Sequence, residues 1–254
     1  MSTISVAIVT KNEEANIRRC LESVKWADEF VIVDCGSTDG TLDICRECGC
    51  RIIEREWEGY AEQKNYALAQ TTMDWVLSLD ADEEVTPELA QEIRAAVESG
   101  GADAYDMPRL SRFLGRWMRH GGWYPDRQLR LLRRGFGSFK IVPIHEHVVL
   151  REGATLGRFR HPLLHYTYPT VQDFVRKSDL YTSIEVKARV EDNRIPRSMG
   201  LALLTAFPRK FAEVYLYKQG WRDGLNGFVA ATLMASRVYM RAAKLWEITS
   251  GKSE

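Results

Sequence analysis

WVLSLDADEEV, residues 75–85, joins an apolar run to a dense group of carboxylates. The first five residues predict a buried strand, and Asp80 follows directly as its last position. Asp82 comes two residues later, so both carboxylates can face the same solvent-filled mouth at the strand end. Carboxylates this close repel one another, and a cation relieves that repulsion. Oxygen ligands of this kind suit Mg²⁺ or Mn²⁺, so we predict that Asp80 and Asp82 belong to a divalent metal site.

Glu83 and Glu84 receive a different interpretation. They come just before Thr86 and Pro87, which are typical of a helix N-cap and a first helical position. Carboxylates near a helix N-terminus are stabilised by the helix dipole while remaining in water. We therefore expect these two glutamates to form a solvated helix start.

Strand and helix patterns alternate around this stretch. Strands are predicted from ISVAIVT (4–10), FVIVD (30–34) and RIIERE (51–56). Helices are predicted from NEEANIRRCLESVKWA (12–27, with Asn12 as its cap), TLDICREC (41–48), GYAEQKNYALAQT (59–71) and TPELAQEIRAAVES (86–99). This alternation predicts an α/β fold with a mostly parallel central sheet and helices on both faces. Ligands of such sheets bind beyond the carboxyl ends of the strands.

The pattern changes after Gly101. Antiparallel strands with long loops are predicted up to about residue 170, and helices from Val171 onward, with breaks at Pro196 and Pro208. The apolar stretches LALLTAF (201–207) and LNGFVAATLMA (225–235) are shorter than the roughly 18 residues of a membrane span. We favour core packing for them. The alternative is a position in the membrane interface, with anchors at Trp221, Arg222, Arg237, Arg241, Lys244 and Trp246.

Charge is distributed unevenly, although the formal net charge is zero. Residues 1–103 contain 9 basic and 22 acidic residues, whereas residues 104–170 contain 12 basic and 4 acidic ones. The acidic first part suits a cation site, and the basic remainder can face a phosphorylated substrate, nucleic acid or a membrane surface. The N-terminal residues lack a secretory signal pattern and the cysteines are odd in number, which predicts reduced thiols in the cytoplasm.

Polar residues collect at three predicted strand ends, in TKNEE (10–14), DCGSTDG (34–40) and LDADEE (79–84). By the strand-end rule they surround one crevice. VAIVTKNEEANI, VIVDCGSTDGT and LDADE, in that order and spacing, resemble the N-terminal half of family 2 glycosyltransferases with the GT-A fold, and LDADE is similar to their D-x-D metal motif. The resemblance continues through WYPDRQLRLLRR and PIHEHV, so it covers about residues 3–170.

Within that family the chain is most similar to bacterial β-1,4-glucosyltransferases that add glucose to the heptose inner core of lipopolysaccharide. The resemblance implies a GT-A catalytic domain over residues 1–170, with a nucleotide-sugar half (1–103) and an acceptor half (104–170), and a C-terminal helical extension over residues 171–254. It also implies a cytoplasmic, metal-dependent, inverting transfer of a hexose from UDP-glucose to a glycolipid. Peripheral contact with the inner membrane fits such an acceptor, and no nucleic-acid partner is expected.

The resemblance carries over to individual positions. Residues at the first two strand ends are implied to hold the uridine and ribose: Thr10, Asn12, Glu13, Asp34, Ser37 and Asp39. Lys64 and Asn65 fall in the segment that flanks the nucleotide sugar. Asp80 is similar to the ribose- or sugar-side carboxylate, and Asp82 to the direct metal ligand.

An inverting transfer needs a carboxylate that takes the proton of the acceptor hydroxyl. The candidates are Glu146 in PIHEHV, which we favour, and Asp126 in WYPDRQ. His145 and His147 flank Glu146, and their imidazoles can bind the metal or position the carboxylate. The alternative for HEH is a strand with the histidines on one face. Asp126 can instead hold the acceptor, or pair with Arg127 or Arg130.

Two other classes of function stay open. A nucleotidyltransferase shares the sheet and the paired acids, but it normally has a Gly-rich basic loop after the first strand, which TKNEE lacks. A noncatalytic RNA- or membrane-binding protein would use the arginines and aromatic residues of RLSRFLGRWMRHGGWYPDRQLRLLRR (109–134).

Overall fold

The computed structural model describes residues 2–142 and 146–250, and the chain divides into two compact units. The first unit contains Met1–Arg109 and Asp126–His165, and the second contains Leu110–Pro125 and Tyr166–Glu254. The predicted fold class is confirmed, because the first unit is a central sheet with helices on both faces and the second is mainly helical. The second unit includes residues 110–125, which the sequence prediction places in the acceptor half.

Four parallel strands form the first part of the sheet. They are β1 (Ile4–Thr10), β2 (Glu29–Asp34), β3 (Arg51–Glu54) and β4 (Trp75–Asp80), in the spatial order β3-β2-β1-β4. Thr10 is paired with Asp34, and Val9 with Asp80. The register therefore brings the ends of β1, β2 and β4 to one edge, as the strand-end rule predicts.

Side-chain alternation buries both faces of this sheet. Ile4, Val6 and Ile8 of β1 pack on one face, whereas Ala7 packs on the other. On the first face lie α1 (Glu14–Ser23), α2 (Thr41–Glu47) and α4 (Pro87–Ser99), and on the second lies α3 (Tyr60–Ala69). Strands that are buried on both faces have continuous apolar sequences, so these strands could be predicted from the sequence.

The helix caps agree only in part with the sequence. Thr86 caps α4, because its hydroxyl accepts a hydrogen bond from the Leu89 amide, and Pro87 begins the helix. Asn12 does not cap α1, so that prediction is wrong. It has a positive φ of 55°, and its side-chain oxygen accepts a hydrogen bond from the Thr38 amide instead. Its side chain joins two strand-end loops rather than starting a helix.

The remaining strands pair mainly antiparallel. β8 (Asp126–Arg133) pairs with β4 and with β6 (Ala104–Phe113), while β5 (Glu83–Val85) pairs with β12 (Leu163–Tyr168). Shorter strands are β7 (Arg116–Trp117), β9 (Gly137–Phe139), β10 (Val148–Leu150) and β11 (Leu156–Arg158). Within the described residues, Glu146 and His147 precede β10 and are not part of a strand, so the alternative of an HEH strand is wrong for these two.

The second unit contains α5 (Val171–Glu191), α6 (Met199–Phe211) and α7 (Gly224–Ser250). The predicted break at Pro196 is confirmed, but the one at Pro208 is wrong. Pro208 lies inside α6, and a π-helical turn (Ala212–Tyr217) follows. The Phe211 ring, at the end of α6, lies 5.8 Å from that of Phe228 on α7. Packing thus holds the helix together through the proline.

Several cations of these helices have partners inside the second unit. Arg237 and Arg241 both bond Glu185, at 2.6 and 2.7 Å, and Lys244 bonds Asp179 at 2.6 Å. These three predicted membrane anchors therefore contribute to bundle packing. Across residues 2–142 and 146–250, no helix combines the length and the apolarity that crossing a bilayer requires.

Candidate functional site

The loop after β2 is built around Asp34, which is fully buried. Its carboxylate accepts hydrogen bonds from the amides of Gly36 and Ser37 at 2.9 and 2.8 Å, and from the Ser37 hydroxyl. The Ser37 hydroxyl oxygen also accepts a bond from the Asn12 amide at 2.9 Å. Three predicted nucleotide-binding residues are thus joined in one network at the edge of the sheet.

A second set of bonds ties the same loops together. The Asp39 carboxylate accepts bonds from the Thr41 hydroxyl and from the Glu14 amide, and the Glu13 amide donates to the Thr41 hydroxyl. Hydrogen bonds, chiefly that from Thr41, hold the pKa of Asp39 below its ordinary value. The buried Thr10 hydroxyl has no hydrogen-bond partner among the described residues. It is a polar atom at the strand end that a ligand can satisfy.

Asp80 is held between two cations. One carboxylate oxygen lies 2.8 Å from the Lys64 ammonium, and the other bonds the Arg130 guanidinium. Burial alone would raise the pKa of Asp80, but Arg130 and Lys64 hold it well below its ordinary range. Burial would likewise lower the pKa of Lys64, and Asp80 and Glu146 outweigh it so that the pKa is raised. Both groups therefore stay charged at neutral pH.

Glu83 departs from the sequence interpretation. It is completely buried, and its carboxylate bonds Arg130 at 2.6 Å and Arg109 at 3.4 Å. A solvated helix start is therefore wrong for this residue, because tertiary pairing with a distant strand removes it from water. Arg130 and Arg109 are site residues whose partners the sequence did not identify. The sequence feature that indicates such ion pairs is the excess of arginine in residues 109–134, in a chain whose residues 1–103 are acidic.

Glu146 belongs to the group of charged residues around Asp80 and Lys64. Its carboxylate lies 2.9 Å from the Lys64 ammonium, so Lys64 bridges Glu146 and Asp80. Asn65, next along α3, exchanges two hydrogen bonds with the Phe139 backbone, at 2.8 and 2.7 Å. Both ends of the Asn65 amide are used in this way. Asn65 therefore holds Phe139, the last residue of β9.

Asp126, at the start of β8, pairs with Arg109. One of its oxygens accepts bonds from the Arg109 guanidinium at 3.0 and 2.6 Å, and the other accepts one from the Gln128 amide at 2.9 Å. The suggested pairing with Arg127 or Arg130 is wrong, since Arg127 bonds Asp106 and Arg130 bonds Asp80 and Glu83. With 37% of its side chain exposed, Asp126 is more accessible than Glu146 at 16%.

The predicted metal ligands are gathered only in part. Asp82 lies 3.4 Å from the Nε2 atom of His165, on β12, and both side chains are mostly buried. His165 was not identified from the sequence, because it lies 83 positions away from Asp82 and outside any recognised motif. His147 is exposed, and His145 lies outside the described residues. Among residues 2–142 and 146–250, no three Asp, Glu, His or Cys side chains are grouped closely enough to enclose a metal on their own.

Comparison with known proteins finds relatives among glycosyltransferases. The model of glycosyl transferase family 2 matches residues 5–154. The lipopolysaccharide core biosynthesis glycosyltransferase LpsC of Rhizobium meliloti is 32% identical over 96% of this chain and 92% of its own length. An uncharacterized glycosyltransferase of Rickettsia typhi is 31% identical over 98% of this chain and 88% of its own.

Two solved structures have a partial likeness to the chain. S. aureus TarS (residues 1–349) covers 99% of this chain and 92% of its own, with 17% identity and a TM-score of 0.45. Glucosyl-3-phosphoglycerate synthase of Mycobacterium tuberculosis, in complex with Mn²⁺, UDP and glucosyl-3-phosphoglycerate, covers 53% of this chain and 58% of its own, with 23% identity and a TM-score of 0.42. The match of the family model to more than half of the chain, together with relatives that align along nearly all of it, shows that this protein belongs to glycosyltransferase family 2.

Proposed function

We propose that the protein transfers glucose from UDP-glucose to the heptose inner core of lipopolysaccharide, with inversion at the anomeric carbon and with a divalent metal ion. Membership of family 2 supports the class of reaction, and the name of the Rhizobium relative supports the acceptor. The observation that carries the site assignment is the strand register that brings Asp34 and Asp80 to one edge of the sheet, with Asp82 two residues after Asp80.

The donor is proposed to lie across the three strand-end loops. The loop around Asp34, with Thr10, Asn12 and Ser37, would hold the uridine and ribose. Lys64 and Arg130 stand beside Asp80, so their positive charge is available near the diphosphate as well as to the carboxylate. Cations placed where a leaving group gains negative charge stabilise the transition state.

Asp82 and His165 fit a metal ion as a mixed oxygen and nitrogen pair. Their facing atoms are 3.4 Å apart, a spacing that two ligands of one ion can adopt. Mg²⁺ and Mn²⁺ both suit carboxylate and water ligands, but Mg²⁺ is bound through oxygen, whereas a transition metal can also accept the imidazole nitrogen, so Mn²⁺ is the proposed ion. Because the protein supplies few ligands, the remaining coordination positions of the ion would be left for the nucleotide and water. When bound, the ion would supply positive charge to the departing nucleoside diphosphate.

Glu146 remains the proposed base, and Asp126 the proposed acceptor-binding residue. The bridge through Lys64 supports a position for Glu146 beside the donor carboxylate Asp80. Asp126 is more exposed and paired with Arg109, which suits contact with a hydroxylated acceptor. A nucleotidyltransferase lacks this support, because the loop after β1 has no glycine and one basic residue.

A thermal-shift comparison of sugar nucleotides, with and without Mn²⁺, tests the proposal. A ligand present at 100 times its Kd adds about 2.7 kcal/mol to the free energy of unfolding. UDP-glucose should give this stabilisation only with Mn²⁺, and Asp82→Asn should abolish it while the fold survives. Asp43→Asn, which changes an exposed aspartate paired with Arg46, is the matched control and should behave as wild type. Unchanged metal-dependent binding by Asp82→Asn would refute the metal assignment.

A further inference from the structure

A cavity of about 420 Å³ opens among α5, α6 and α7, wholly within the second unit. Part of its lining is apolar, with Met199 and Ala206 from α6 and Leu245 from α7. Its size is that of a small-ligand site. The proposed sugar transfer uses none of these residues.

The rest of the lining is strongly basic. Arg189 of α5, Arg209 and Lys210 of α6 and Arg241 of α7 all contribute to it, and Glu213 is the only carboxylate among the lining residues that the structure describes. Four cations around one carboxylate leave a net positive charge inside a partly apolar space. Such a space attracts an anion.

The nearby carboxylates do not neutralise this charge. Glu185 is shared by Arg237 and Arg241, and Glu213 is shared by Lys210 and Lys218. Each of these carboxylates is therefore shared between two cations and can neutralise only one positive charge.

Arg189 and Arg209 make no ion pair with any carboxylate of residues 2–142 and 146–250. Burial and the neighbouring Arg241 lower the pKa of the Arg189 guanidinium, which is the direction expected where like charges are left close together. A bound phosphate would relieve that repulsion, and the planar guanidinium suits bidentate contact with it.

Apolar surface continues outside the cavity on α6. Leu201 is 61% exposed, and it lies one helical turn before the cavity residue Thr205 on the same side of α6. An exposed leucine beside a basic and partly apolar cavity matches a ligand that carries both an anionic head and hydrocarbon chains.

We propose that this cavity binds the phosphate head group of an anionic lipid through Arg189 and Arg209, with the hydrocarbon chains against the apolar lining and Leu201 of α6. The site is separate from the sugar-donor site and does not depend on the proposed transfer reaction.

Titration of the full chain with monomeric dihexanoyl phosphatidic acid tests this proposal. Inorganic phosphate supplies the head without chains, and dihexanoyl phosphatidylcholine supplies the chains with a zwitterionic head. The phosphatidic acid should bind at least tenfold more tightly than either. Equal affinity for inorganic phosphate or for phosphatidylcholine would overturn the proposal.

Variants locate the site. The double variant Arg189→Gln/Arg209→Gln should weaken binding of the phosphatidic acid at least tenfold. Arg176→Gln/Arg222→Gln removes two cations of the same unit outside the cavity, and should change it less than twofold. Equal losses in both double variants would mean diffuse charge attraction and would overturn the site.

Two further variants distinguish binding in the cavity from an effect of misfolding and from binding at the donor site. Ala206→Leu fills the cavity without changing charge, and it should also weaken binding. Asp82→Asn, in which donor binding is expected to fail, should keep the affinity for phosphatidic acid. Loss of lipid binding in Asp82→Asn would place the lipid at the donor site and overturn the proposal.

Discussion

At the scale of single residues, Arg130 organises the charges of the candidate site. Burial acts to lower the pKa of its guanidinium, but Asp80 and Glu83 outweigh burial and raise it. Glu83 is inaccessible to solvent and depends on Arg130 and Arg109 for compensation. Removing one partner of a buried pair leaves a charge that neither water nor protein stabilises. Arg130 is therefore expected to matter for folding as well as for the donor site.

Arg130→Met should lower the free energy of unfolding by about 3 kcal/mol, the lower end of the range for breaking a buried pair, since it leaves the buried Glu83 with Arg109 at 3.4 Å and Asp80 with Lys64 while keeping side-chain volume. Urea denaturation at neutral pH measures this change. Arg133→Met is the matched control on the same strand, because its side chain is 58% exposed and lies 3.6 Å from Asp103. Exposed pairs contribute about 1 kcal/mol or less. Equal effects of the two substitutions would contradict the structural role of Arg130.

The assignment of the base belongs to the same scale. Glu146→Gln keeps size and hydrogen-bonding capacity but cannot accept the acceptor proton, so kcat should fall about 10²–10⁴-fold. Metal-dependent donor binding should persist in this variant. Asp126→Asn should raise KM for the acceptor more than it lowers kcat. Saturation kinetics on both variants, with donor binding measured in parallel, decide between them, and loss of turnover confined to Asp126→Asn would reverse the two roles.

At the scale of elements, a close backbone contact fixes the start of α7. A Cβ on Gly227 would overlap the carbonyl oxygen of Gly220, which begins the short 3₁₀ turn Gly220–Asp223 before the helix. Asp223 in that turn accepts bonds from the amides of Arg119 and His120 at 3.0 and 2.8 Å. Movement of the turn would therefore strain the segment 110–125 as well.

Gly227→Ala should destabilise the protein by on the order of 1–3 kcal/mol, the usual cost of overpacking a tight interior. Gly200→Ala makes the same chemical change on α6, where a Cβ meets no atom within 4 Å. That substitution should stabilise by about 0.4–1 kcal/mol, because alanine has less freedom in the unfolded chain. Thermal unfolding of both variants gives the comparison. A neutral Gly227→Ala would mean that the turn adjusts freely.

Elements with a periodic pattern were predictable from the sequence, and pairings across the fold were not. The strands β1, β2 and β4 and the cap of α4 follow from local residues, as the Thr86–Leu89 hydrogen bond illustrates. Glu83 pairs with Arg130 across 47 positions, and that distance hides the partner from any local rule. The continuation of α6 through Pro208 likewise depends on contact with α7, which outweighs the local preference of proline.

At the scale of the whole molecule, each unit contains an internal carboxylate that is stabilised in its charged form. In the first unit, Arg130 and Lys64 overcome burial to lower the pKa of Asp80. In the second unit, bonds from Arg241 and Arg237 overcome burial to lower the pKa of Glu185. A carboxylate whose folded pKa lies below its unfolded pKa stabilises the fold above the unfolded value, and this stabilisation is lost as the pH falls towards the folded value.

Both units should therefore keep constant stability from neutral pH to about pH 5 and lose it at lower pH, because the ordinary pKa values are 4.5 for Glu185 and 3.8 for Asp80. Asp80→Asn and Glu185→Gln remove these contributions one at a time. Each variant should be less stable than wild type at pH 7, and the difference should shrink as the pH approaches 3. Urea denaturation at several pH values, followed by circular dichroism, measures the slopes. If a variant stayed equally far below wild type at pH 7 and pH 3, its carboxylate would stabilise the fold through packing, since ionisation would then contribute nothing.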